Sequence, residues 1–192
     1  MKKYALLICF IINQNSSAAL DGAKFELVLD IAQAASCVAY NKSKEPAYKK
    51  IYLALRNKRH KMHNNEGPMG WQQCATKSES VTRAYALPAN IAWYFCNSSD
   101  SFSLIRLAEL AIHETAHLVD VDRKGFPLLI NECRARDHEL SILSLATGHY
   151  ESYNYFNKKC PTLTYSGKAD PLDDDSMIDF LEDNRSCELR LY

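Results

Sequence analysis

The sequence predicts an α+β domain that is mostly helical, with a small β-sheet or hairpin preceding its principal helix. Three observations carry this reading. Several stretches repeat apolar residues at helical spacing, residues 81–96 alternate them at strand spacing, and no internal repeat or low-complexity linker divides the 192 residues. With 47% apolar residues, a chain of this length can bury a substantial core as one unit.

Taken in order, the chain opens with Met1-Lys2-Lys3, an apolar run from Tyr4 to Ile12 and a polar stretch ending in Ser17-Ala18-Ala19. Basic, apolar and small residues in that succession predict a secretory signal peptide over residues 1–19, leaving 20–192 as a single domain. The apolar run is far shorter than the roughly 20 residues that span a bilayer, and no later stretch comes close, so no transmembrane segment is expected. Removal of the leader takes Cys9 with it and leaves Cys37, Cys74, Cys96, Cys133, Cys160 and Cys187. An even set without Cys-x-x-Cys spacing in an exported chain predicts three disulfides, and the spacing does not fix their pairing. The competing reading is a set of reduced core thiols. The expected location is secreted or periplasmic. Lys and Arg number 23, as do Asp and Glu, so nothing steers the chain toward a polyanion and no nucleic-acid partner is expected. Oligomeric state is not legible.

Residues 23–39 place Phe25, Val28, Leu29, Ile31, Ala32 and Ala35 at helical recurrence, which predicts a first helix. A second starts near Pro46, tolerated in a first turn, and runs through Tyr48, Ile51, Tyr52 and Leu55. The basic run Arg56 to Lys61 reads as a solvated helix end, and His60 and His63 are weak ligand candidates. Asn64 to Gly70 carries turn chemistry. Val81, Arg83, Tyr85 and Leu87 alternate, as do Ile91, Trp93 and Phe95 after Pro88, which predicts two strands. Good helix formers fill Leu104 to Ile112, with Ser101 or Ser103 available as cap. A further helix is expected from Leu128 to Thr147, and Met177, Ile178, Phe180 and Leu181 recur at helical spacing. The acidic run Asp170 to Asp175 does not follow the order of a calcium loop and reads as a solvated turn.

The chemistry centres on His113-Glu114-Thr115-Ala116-His117. On a helix His113 and His117 lie about 40 degrees apart and can hold one metal ion, with Glu114 beside them as a general base. A shuffle of the same composition would produce the pattern in roughly 1% of chains. Leu104, Leu107, Ala108, Ala111 and Leu118 form one apolar face, and Arg106, Glu109, His113, His117 and Asp120 share the other. The plainer alternative is a surface stripe that happens to contain two histidines. Glu132 falls within the apolar stripe of the next helix, formed by Leu129, Ala135, Leu140, Leu143 and Ala146. A carboxylate there needs a cation, either a metal or Arg136 one turn on. Glu139 shares that face and is the second candidate ligand. Asp120 stands one turn beyond His117, suited to accept the free ring N–H or to serve as an ordinary helix-end carboxylate. His149 and the tyrosines after it are candidate oxyanion groups or simple packing.

These residues resemble the active-site helix of the zincin metallopeptidases over about residues 80–150. The resemblance implies a zincin-like fold, a Zn²⁺ cofactor held by His113 and His117, Glu114 as catalytic base, and a peptide or protein substrate. It also implies that an edge strand before the metal helix, at residues 90–96, pairs with extended substrate. Asp120 and Arg123 stand where metzincins carry Gly and a third His, and the Gly-Thr-x-Asp of aspzincins is absent. Asn131-Glu132 looks like the start of the second helix of gluzincins, which implies Glu132 as third ligand. The chain departs from thermolysin-like enzymes four residues after Glu132, where it has Arg136 rather than Asp. The function expected on these grounds is that of a secreted zinc metallopeptidase. The alternative is a non-enzymatic, disulfide-stabilised binding or inhibitor module.

Overall fold

A computed structural model describes residues 20–57, 62–64, 76–77, 80–81, 84–87, 92–96, 102–121, 128–148, 160 and 172–190. The expected leader, the turns at 65–70, 88–90 and 122–127, and the aromatic segment 149–156 lie outside these residues. The helices are α1 (Gly22–Ser43), α2 (Pro46–Asn57), α3 (Leu104–Ala116), α4 (Leu128–Thr147) and α5 (Asp174–Asn184). The strands are β1 (Met62–His63), β2 (Thr76–Lys77), β3 (Ser80–Val81), β4 (Ala84–Leu87) and β5 (Ala92–Phe95), and a π-helical turn, His117–Val121, continues α3. The architecture is the predicted mostly helical α+β.

Helix α1 is the axis of the fold, and α2, α3, α4 and α5 all pack on it. Its sequence explains this: Val28, Leu29, Ile31, Ala32, Ala35, Cys37 and Ala39 are inaccessible to solvent and lie on several sides of the helix. A helix apolar around most of its circumference has to be enclosed. It ends where Lys44 turns left-handed (φ 62°) and returns its N–H to the Tyr40 carbonyl at 2.7 Å. Helix α2 is amphipathic and buries Tyr48, Ile51, Tyr52 and Leu55 while leaving Leu53 and Arg56 outside.

The main sheet has the order β1-β5-β4. β4 pairs antiparallel with β5, Ala84 opposite Phe95 and Leu87 opposite Ala92, and β1 pairs parallel with β5, Met62 opposite Trp93. This corrects the expectation that residues 90–96 form an edge strand. At Trp93 and Tyr94 both edges of β5 are taken, because the unforeseen strand at Met62–His63 covers the side that a hairpin alone would leave open there. Alternation sends Trp93 and Phe95 to the same face, where both meet Phe25 of α1 edge-on at 6.3 and 5.9 Å. The Trp93 indole N–H donates to Thr115 Oγ1 at 3.1 Å, and the Thr115 hydroxyl donates to the Ala111 carbonyl at 2.6 Å. The sheet is thereby fixed to α3 at the residue between Glu114 and Ala116.

Two disulfides staple the helices, Cys37–Cys187 and Cys133–Cys160, and Cys96 is disulfide-bonded as well. The C-terminal segment lies along α1, held by the first bridge and by Asn41. The Asn41 amide donates to the Glu188 carbonyl and accepts from the Arg190 N–H, both at 2.8 Å. The start of α3 is capped from the same segment. Ser103 occupies the N-cap position but makes no side-chain cap bond, and Leu104 N–H donates instead to Asp174 Oδ1 at 2.6 Å. Asp173 caps α5 through Ser176 N–H at 2.8 Å, so two residues of the acidic run are used as caps. No helix among the described residues is long and apolar enough to cross a membrane.

Candidate metal centre

Helix α3 is enclosed far more completely than an amphipathic surface helix. Besides its apolar face, Glu109, Glu114 and Thr115 are buried, and His117 is only 6% exposed. The polar stripe faces protein, which disposes of the plain surface-stripe alternative. Its partner is α4. Arg106 and His113 meet Glu139, while His117 meets Glu132 farther back along α4. Partners ascending on one helix and descending on the other mean that the two run antiparallel, as the reversal around Gly125 to Pro127 predicts.

Three side chains converge where α3 passes into its π-helical turn. His113 Nε2 and His117 Nε2 are 3.1 Å apart, His113 Nε2 is 3.3 Å from Glu132 Oε2, and His117 Nε2 is 3.5 Å from Glu132 Oε1. His113, His117 and Glu132 can hold a metal ion, since each presents one ligand atom to the others within 4.8 Å. The backbone shapes the pair. His117 N–H is shared between the carbonyls of His113 and Glu114, the point at which the helix widens, and the two rings stand 4.8 Å apart at 65°. Glu114 follows His113 in the chain and is buried.

Glu132 is the most accessible of the three, its side chain 42% exposed. This revises the premise by which it was found. The carboxylate sealed within the helix interface is Glu139, 1% exposed, and Arg136 pairs with Glu139 rather than with Glu132. Burial pushes the pKa of Glu132 up, but hydrogen bonds and charge from His113 and His117 outweigh it and hold the carboxyl well below the ordinary range.

Comparison with protein-family models, with curated proteins and with solved structures gave no match.

The remaining candidates separate cleanly. Glu139 Oε2 lies 2.6 Å from His113 Nδ1, on the ring nitrogen remote from the converging group, so it does not stand in the ligand position. His138 packs edge-on against Tyr48 at 6.0 Å, and His63 stacks on Tyr94 at 4.6 Å. His60 and His149 lie outside the described residues, and so does the side chain of Asp120, expected to support His117. What sequence reasoning missed is the buried cluster behind His113, in which Arg106 pairs with Glu109 and Arg136 with Glu139, while Arg106 also approaches Glu139 Oε1 at 3.8 Å. A signal was there to find: both helices carry Arg and Glu three residues apart, a spacing that places them side by side.

Proposed function

We propose that this chain is an exported zinc-dependent metallopeptidase with His113, His117 and Glu132 as ligands and Glu114 as general base. The observation that carries the metal assignment is the convergence of two imidazole nitrogens and a carboxylate oxygen 3.1, 3.3 and 3.5 Å apart. Two imidazoles with one carboxylate are a donor set that suits zinc, whereas magnesium takes oxygen ligands. Among the described residues three protein ligands converge, the number that a catalytic zinc site takes from its protein.

A zinc ion held there supplies Lewis acidity, polarising a carbonyl and acidifying water. Glu114, buried on the same helix, takes the proton of the attacking water and later delivers it to the leaving amine. An extended peptide would add to the sheet at β4 rather than β5. Among the described residues the outer edge of β4 has no strand partner, and β4 packs against α3 and the π-helical turn. Export is supported by the two disulfides, which persist in oxidising compartments, together with the leader-like residues 1–19.

The test uses the chain without residues 1–19. It should carry about one zinc per molecule and cleave unfolded casein, and Glu114→Gln should keep the metal while losing at least about 100-fold in rate. Stoichiometric zinc with no hydrolysis of any of several unfolded substrates would favour the non-enzymatic binding module instead.

A further inference from the structure

We propose that Glu139 is a positioning residue for the metal centre, acting through the remote nitrogen of His113, and that Arg136 and Arg106 hold it in place. The inference rests on the metal-site reading above. An imidazole can ligate through either nitrogen, so a site that needs Nε2 must settle the ring's tautomer and its rotation. Glu139 does both. Its Oε2 sits 2.6 Å from His113 Nδ1, and a carboxylate only accepts, so the proton stays on Nδ1 and the Nε2 lone pair faces His117 and Glu132.

Burial makes this carboxylate rigid as well as close. At 1% exposure it cannot rotate into solvent, and its other oxygen is held by Arg136, with the Arg106 guanidinium 3.8 Å away across the helix interface. Two guanidinium groups face the Glu139 and Glu109 carboxylates, so Glu139 has a cation beside it other than the histidine. Here the departure at Arg136 acquires a role. Four residues after Glu132 the chain supplies a cation rather than a carboxylate, and the cation anchors a carboxylate one turn later. The orienting group therefore comes seven residues after the ligand.

The deciding measurement is zinc affinity by chelator competition, with the visible spectrum of the Co²⁺ form as a second readout of ligand geometry. Glu139→Gln should weaken zinc about 10–100-fold and alter the Co²⁺ spectrum. Glu182→Gln, which removes an exposed carboxylate on α5 outside this network, should leave both close to the parent. If Glu139→Gln alone does not fold, the double replacement with Arg136→Met removes the buried charges as a pair and should show the same loss of affinity. A Glu139→Gln or double variant that binds zinc within about twofold of the parent overturns the positioning role. A parent chain that binds no zinc overturns the metal site itself.

Discussion

Removing Glu132 is the sharpest way to separate metal binding from folding, because the three ligands differ so much in exposure. Zinc held by four protein ligands in small domains contributes about 10–16 kcal/mol, or about 3 kcal/mol per ligand. At about 1.4 kcal/mol per decade this is roughly 100-fold in affinity for each ligand lost. Glu132→Ala should therefore weaken zinc by about 100-fold or more. Its side chain is 42% exposed and lies outside the buried Arg106–Glu109–Arg136–Glu139 cluster, so apo stability should move by less than about 1 kcal/mol. Competition against a chromophoric chelator measures the first quantity and urea unfolding of the apo chain the second. Zinc affinity within about threefold of the parent, while His113→Ala abolishes binding, would refute Glu132 as ligand and with it the meaning given to the 3.3 and 3.5 Å separations.

Two other outcomes are expected. Replacing Cys37 and Cys187 by Ser releases a span of 150 residues, for which chain entropy gives about 5 kcal/mol, whereas the 27-residue span of Cys133–Cys160 gives about 3.5. Loss of the first bridge should therefore destabilise the apo chain to urea by about 1.5 kcal/mol more than loss of the second. The pH dependence follows from Glu132, whose pKa is depressed in the folded state. The stability it contributes is fully present above the ordinary carboxylate range and is lost as pH falls through its folded value. Urea unfolding of parent and Glu132→Gln apo chains should thus differ by under about 1 kcal/mol at neutral pH, because the half-exposed carboxylate is screened, and converge in strong acid.

The helices were legible because their signals are local. Apolar recurrence marked α1, Pro46 marked the start of α2, and α4 runs from Leu128 to Thr147 as its pattern predicts. The closeness of His113 to His117, and of Glu132 to both, could be read for a similar reason, since each follows from position along its helix. Glu132 was nevertheless reached through the wrong premise, because a helical wheel shows which residues share a face but not how deeply each is covered. It grouped Glu132 with Glu139 and could not tell the half-exposed carboxylate from the sealed one. What depended on distant segments was not legible. Nothing near residue 92 announces that Met62 will pair beside Trp93, and nothing near Ser103 announces that its capping task passes to Asp174.

The cap on α3 has a consequence for how the molecule is made. The first free N–H of the helix that carries both histidines is satisfied by Asp174, and the segment that carries Asp174 is secured to α1 by Cys187. A ribosome that has delivered the whole histidine motif has therefore not yet delivered the parts that anchor the start of its helix. Synthesis must continue a further 70 residues beyond Leu104, and two thiols separated by 150 residues must then be oxidised together. Under the export proposed above, that bridge forms after the chain has left the compartment in which it was translated. A hydrolase assembled on that schedule would reach its finished form away from the proteins of the cell that made it.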